Sequence, residues 1–429
     1  MPQASSLMPD FNSGRRAFQF TAELSFPRLV GSPGERRARE LITRKWESLG
    51  LKVETEEFQA SDFAINTAAR WALVPGAILQ LIAAFCYRLD HPGWALVSAL
   101  SAIFALLFLA AEFRTAFARW ASRGRQFKTA NIIGRGAGLK ASGAGLKASG
   151  AGLKPAPTII FMAHYDSKSQ TFPLWLRLFC FLVGGFGGLL LSASIAVLSI
   201  LALLDSAAGL KPMATGLTYG AGVLLVVSVS LLLNRVGNQS PGALDNAAGV
   251  AVITELARQF QADPPPNLNL IFAATSAEEL GLCGAKAFIE KNSRDGFETR
   301  PYDPLTTYFI NYDSPGYGGT ALALSAYGIP RQKISPALNR MLRDIAREKA
   351  IPFRAVYLPV GAATDLFPVL HAGFQGVNLS TLNPRIHTRA DTIETIREQN
   401  LADHITLGLE LVKRLAIKLS QPEQPLRRL

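Results

Sequence analysis

The stretch LNLIFAATSAEELG, residues 268–281, decides how the rest of the chain is read. Its apolar run Leu268, Leu270, Ile271, Phe272, Ala273 and Ala274 has the length and two-sided apolarity of a strand buried on both faces. Ser276 then offers a helix N-cap ahead of two adjacent acids, Glu278 and Glu279, which places both carboxylates where a strand's carboxyl end meets a helix. Open α/β sheets gather their ligands at that edge. Acids in a first helical turn are also a common solvated face favoured by the helix dipole, so the pair gains weight from the company it keeps.

Outward from this stretch the pattern repeats. Residues 14–58 read as helix, turn, helix, strand, with GSPG at 31–34 as the turn and Leu51, Val53, Thr55 and Phe58 alternating. NIIG at 131–134, PTIIFMAHYD at 157–166, Thr307–Tyr312, Phe353–Leu358 and Gly376–Leu379 read as further strands. SPGALDNAAG opens a helix to Phe260, Pro336–Lys349 is another, and Asn400–Leu419 closes the chain as an amphipathic helix. Strands alternating with helices imply an α/β domain with a mostly parallel central sheet flanked by helices.

That domain is interrupted. The chain is 49% hydrophobic, and the excess sits in four stretches: Trp71–Tyr87, Trp94–Ala111, Leu178–Leu204 and Ala214–Leu233. They read as four transmembrane helices in two hairpins, the first near the lower length limit of about 17 residues. The expected organisation is therefore residues 1–66 as the start of the domain, 67–113 as hairpin one and 114–172 as domain again. Residues 173–235 form hairpin two, and 236–429 the rest of the domain. Gly184 and Gly188 stand at GxxxG spacing, a close-packing face. Within 136–156 the repeat GAGLKAS, GAGLKAS, GAGLKP is too rich in Gly, Ala and Ser to build a core and reads as an expanded loop.

A net charge of +12 permits nucleic-acid binding, yet no zinc-finger, RNP or basic-helix pattern is present. The basic residues crowd the ends of apolar segments instead: Arg70, Arg114, Arg119, Arg123, Arg125, Lys128, Lys168, Arg177 and Arg235 on the strand side, Arg88 and Lys211 opposite. The positive-inside rule then puts the α/β domain in the cytoplasm of a bacterial-type inner or plasma membrane. Three cysteines, Cys86, Cys180 and Cys283, make no disulfide framework. The N-terminus lacks the charged-then-apolar pattern of a signal peptide, so insertion relies on the internal segments.

The residues expected at the strand edge are His164, Asp166, Asp245, Glu278, Glu279, Asp313 and His387. Imidazole and carboxylate without thiolate suit zinc, with manganese or cobalt as alternatives. Two such ions need a shared carboxylate and a separate base for the water between them. Taken singly, each residue has a plain alternative as a core histidine, helix cap, turn former or surface side chain.

The motifs AHYDS, GALDNAAG, SAEELGLCG, NYDS and IHTRAD, in this order and spacing, together resemble the co-catalytic di-zinc aminopeptidase family of bacterial leucyl aminopeptidase, aminopeptidase S and aminopeptidase Y type. GSPGERRARELI and LGLKVETEEF are similar to that family's opening. The resemblance implies a peptide substrate, two zinc ions and a metallo-aminopeptidase activity. It further implies His164 and Asp313 on one ion, Glu279 and His387 on the other, Asp245 bridging, Glu278 as general base and Asp166 orienting His164. Two departures stand out: Leu366 follows Thr364 and Asp365 where the family has histidine, and Ile386 stands where some members place an oxyanion-stabilising tyrosine. Two other functions share the fold: a glutaminyl cyclase-like transferase, against which the presence of His164 argues, and a noncatalytic membrane scaffold or receptor.

Overall fold

The computed structural model describes residues 12–114, 120, 122–136, 156–205, 211–293, 302–359 and 363–419. Most of the tandem GAGLKAS repeat, residues 206–210, Arg119 and the basic Arg427 and Arg428 lie outside them. The main sheet has nine strands: β1 (Lys52–Ser61), β2 (Gln126–Arg135), β3 (Thr158–His164), β4 (Asn269–Thr275), β5 (Thr307–Tyr312), β6 (Ala321–Tyr327), β7 (Gln332–Lys333), β8 (Phe353–Leu358) and β9 (Gln375–Ser380). Their spatial order is β1-β2-β4-β3-β5-β9-β6-β8, with β7 on β6.

The centre, β4-β3-β5-β9, is parallel, whereas β2 runs antiparallel to β4 and β6 antiparallel to β9. The sheet is therefore mixed, not mostly parallel. A parallel neighbour needs a crossover of a dozen or more residues, usually a helix; only residues 313–320 join β5 to β6, too few for one.

Side-chain alternation along the central strands divides the core in two. Ile159, Phe161, Phe272, Tyr308 and Ile310 face the helices Ser13–Leu24, Ala248–Ala262 and Glu398–Leu419. Ile160, Met162, Ile271, Ala273 and Phe309 face Cys283–Ser293 and Leu366–His371. Burial on both faces is why β3, β4 and β5 are apolar nearly throughout. Trp46, fully buried, donates from Nε1 to Thr254 Oγ1 at 2.8 Å. Gly134 leaves room for its ring, since a Cβ there would lie 2.8 Å from Trp46 Cε3.

The chain divides into two compact units. One comprises Met1–Ala60, Phe127–Ser169 and Asn238–Leu429; the other comprises Ser61–Gln126 and Gln170–Gly237. Among the described residues of the second unit, three helices are long and apolar enough to cross a membrane, Pro92–Glu112, Leu174–Leu203 and Met213–Leu233. The fourth expected span is shorter. A turn at Ala72–Leu73 breaks it just ahead of Pro75, leaving Val74–Arg88 as 15 helical residues, roughly 22 Å of helix against a hydrocarbon core of about 30 Å.

Within this unit small residues such as Ala83, Ala95, Ala99 and Ala221 are buried, while Trp94, Phe104, Leu190 and Val226 point outward. That inversion is how helices pack in lipid, where backbones approach over small side chains. The glycine spacing works the same way: a Cβ on Gly184 would come within 2.5 Å of Leu73, and one on Gly188 within 2.6 Å of Gln80.

Candidate metal centre

The parallel register of β4, β3 and β5 brings three strand ends together. His164 ends β3 opposite Thr275 of β4, and Asp313 follows the end of β5. Glu278 and Glu279 come three and four residues after β4, on a turn and not in a helix. Ala277 adopts φ +57°, which takes the chain out of helical geometry, and the regular helix starts only at Cys283. What holds the turn is Asp166, whose Oδ1 accepts the N–H of Glu278 and Oδ2 that of Glu279, both at 3.2 Å. For His164 Nδ1 the nearer acceptor is the Asp166 main-chain carbonyl, at 3.2 Å, with the carboxylate Oδ1 at 3.7 Å.

Asp245 is set in a segment, Ala243–Ala247, that is not regular helix: Asp245 and Asn246 have non-helical dihedrals, and Gly242 before them has φ +60°. Asp391 secures this segment by accepting the N–H groups of Leu244, at 2.8 Å, and Asp245, at 3.1 Å. Asn246 ties it to the neighbouring strand end, donating to Tyr312 O at 2.8 Å and accepting from Ser314 N at 3.1 Å. Arg28, fully buried, donates to the carbonyls of Leu24, Phe26, Tyr165, Pro241 and Gly242 and so joins the His164 and Asp245 segments. His387 is held at φ +62°, a costly conformation for a residue with a Cβ and one that recurs at functional sites.

These supports bring five side chains into two overlapping sets. His164, Asp245 and Asp313 form one and Asp245, Glu279 and His387 the other, the ligand atoms of each lying within 4.8 Å of one another. Asp245 turns Oδ1 to His164 Nε2 at 3.2 Å and Oδ2 to His387 Nε2 at 3.1 Å. Glu279 Oε2 is 3.1 Å from His387 Nε2, and its Oε1 is buried without a hydrogen bond. Glu278 belongs to neither set; its Oε2 is 3.9 Å from His164 Nε2, the same distance as Asp313 Oδ1.

Burial and crowding of like charge set the proton affinities. Burial, helped by the neighbouring Glu279, Asp313 and Asp365, lifts Glu278 well above the usual carboxylate range. Asp245 is also buried, but the two histidines override that and hold it well below the range. Burial works against a charged His164, yet the surrounding acids, Glu278 foremost, raise its pKa. Burial pushes Asp365 and Asp391 to about 7 and lowers Arg28 to about 10. Buried acids at this density, one with an orphaned oxygen, need cations to offset them. Two imidazoles and three carboxylates fit divalent zinc, manganese or cobalt.

Sequence reading gives no role to Arg28, Asn246 or Asp391, notes Asp365 only as part of a family-like loop, and places Lys168 on the membrane flank. Lys168 Nζ instead lies buried 2.6 Å from Glu279 Oε2. Asp365 reaches the same region, fully buried and hydrogen-bonded to Thr275 Oγ1. A signal was present for three of them, since Asn246, Asp391 and Lys168 sit in or beside GALDNAAG, IHTRAD and AHYDS.

Residues 227–412 match the sequence profile of peptidase family M28. A vacuolar membrane protease of Clavispora lusitaniae is 26% identical over 184 residues, which cover 41% of this chain and 16% of that protein. Aminopeptidase YwaD of Bacillus subtilis is 28% identical over 169 residues, 38% of this chain and 35% of the relative. The match thus spans about a sixth of the length of the vacuolar relative. Among solved structures, BSAP, a zinc aminopeptidase from Bacillus subtilis, superposes with a TM-score of 0.50 at 14% identity over 94% of each chain. An Acidobacteriales bacterium glutaminyl cyclase superposes with a TM-score of 0.53 at 15% identity, over 97% of this chain and 99% of that one. At such identities the structural likeness speaks for the fold. The matched segment contains Asp245, Glu278, Glu279, Asp313 and His387, and it is over this segment that the chain is similar to peptidase family M28.

Proposed function

We propose that this chain is a membrane-embedded, zinc-dependent exopeptidase that removes N-terminal residues from peptides. The carrying observation is the shared carboxylate: Asp245 offers one oxygen to each of two histidine-and-acid sets. A residue so placed would serve a cation in each set. His164, Asp245 and Asp313 would hold one and Asp245, Glu279 and His387 the other. When bound, such ions polarise the scissile carbonyl and lower the pKa of water.

The remaining work falls to side chains. Glu278 stands outside both ligand sets, with its backbone pinned by Asp166 and its proton affinity raised by burial. A carboxylate so poised takes the proton of the attacking water and returns it to the leaving amine. Asp391, Asn246 and Arg28 keep the Asp245 segment in place.

The test is hydrolysis of aminoacyl amides, free and N-acetylated, by the detergent-purified protein. Chelator-sensitive cleavage of the free-amine substrates alone is expected. A metal-loaded, folded protein that leaves them intact, but cyclises N-terminal glutamine, would replace this reading with the transferase.

β1 and β2 are neighbours in one sheet, so the apolar insertion between them returns the chain to the side it left. Val74–Arg88 must then complete a crossing with its flanking residues or re-enter. The basic residues Arg70, Arg123, Arg125 and Arg235 flank the apolar segments on the strand side, which by the positive-inside rule favours a cytoplasmic peptidase domain. Protease added outside intact cells should spare that domain; its cleavage there would reverse the orientation.

A further inference from the structure

Lys168 follows β3 and turns its side chain back into the metal centre, where it is 9% exposed. Its Nζ lies 2.6 Å from Glu279 Oε2 and donates to the Glu279 main-chain carbonyl at 3.3 Å. The same Oε2 faces His387 Nε2 at 3.1 Å. The His164 half of the centre has instead an additional acid nearby, Glu278, at 3.9 Å. The two halves thus differ in their neighbours: an ammonium stands beside one and a further acid beside the other.

We propose that Lys168 is a positioning residue that makes the halves unequal, weakening cation binding at Asp245–Glu279–His387 relative to His164–Asp245–Asp313. The inference rests on the metal reading above and concerns a residue outside both ligand sets. Two effects of Lys168 oppose each other. By gripping both the side chain and the main chain of Glu279 it orders that ligand, and outer-shell partners of this kind strengthen metal binding by about 10–100-fold. Against this, like unit charges about 4 Å apart in an effective dielectric near 20 repel by roughly 10³-fold in binding, and a divalent ion feels more. Repulsion is the larger.

The experiment titrates the full-length, metal-free protein in detergent with Co²⁺, following heat and cobalt absorption, for the wild type, Lys168→Met, Lys168→Gln and Lys168→Arg. Wild type and Lys168→Arg should bind a first ion tightly and a second at least about tenfold more weakly, the net of the two opposed effects. Lys168→Met and Lys168→Gln, which drop the charge, should bind the second ion at least about tenfold tighter than wild type with the first little changed. A residue that merely fills space would instead weaken binding when replaced, and the arginine variant would not restore wild-type behaviour. Weaker or unchanged second-ion binding in both neutral variants overturns the proposal while leaving the metal reading intact. A wild type that binds no divalent ion overturns both.

Discussion

Replacing Glu278 by glutamine should lower kcat on an aminoacyl amide by about 10²–10⁴-fold, the usual worth of a general acid–base group, while the metal content stays at the wild-type level. The substitution keeps the shape of a side chain that belongs to neither ligand set, and the backbone bond to Asp166 does not depend on it. Stability should move the other way. Burial holds Glu278 well above the usual carboxylate range, so the metal-free fold keeps a proton that the unfolded chain releases above a pH of about 4.3. This group's contribution is fully present below that pH and is lost as pH rises toward the folded value. Glutamine has no proton to lose. Metal-free Glu278→Gln should therefore unfold at higher denaturant than metal-free wild type at pH 8, with the difference vanishing near pH 4. Retention of kcat within about threefold, far short of the range above, would move the base elsewhere.

Asp245→Asn should be as severe in rate and more severe in composition. Asp245 is the member common to both sets, so its loss takes a ligand from each ion, whereas His387→Ala takes one from a single set. Metal analysis after dialysis should find about two ions per wild-type chain. His387→Ala should keep about one and Asp245→Asn fewer than one, by the same two-metal count. With the electrostatic stabilisation from the ions gone, a loss of several kcal/mol corresponds to a fall in rate of about 10³-fold or more. Equal metal content in the two variants would show that Asp245 is not shared.

Much of this site is legible in the linear chain, for a physical reason. A strand buried on both faces announces itself as an uninterrupted apolar run, and the polar residue that ends the run marks the sheet edge. Thr307–Tyr312 and Phe353–Leu358 are strands over the residues read from the sequence; His164 ends its strand, and Asp313 and the glutamate pair follow the ends of theirs. Strand direction is less legible, because apolarity reports burial and is the same whichever way a strand runs. The approach of β2 to β4 and of β6 to β9 is visible only once the chain is folded.

Local backbone at the glutamates was misread for a related reason. Ser276 followed by AEEL is a fair helix start by local propensity, but Asp166, distant in sequence, takes the N–H groups of both glutamates and stabilises a turn instead. The apolar segments divide similarly. Apolar length alone marks Pro92–Glu112, Leu174–Leu203 and Met213–Leu233, while the break at Ala72–Leu73 that shortens Val74–Arg88 is a matter of backbone geometry.

Local apolarity and its interruption mark the buried strands, three of the four apolar spans, and the acids and histidines near strand ends. Tertiary structure alone decided that Asp245 faces both histidines, that Asp391, Asn246 and Arg28 hold its segment, and that Lys168 belongs to the centre instead of the membrane flank. Those facts depend on hydrogen bonds and ion pairs between residues far apart in the chain, and no local pattern encodes a partner that arrives only on folding.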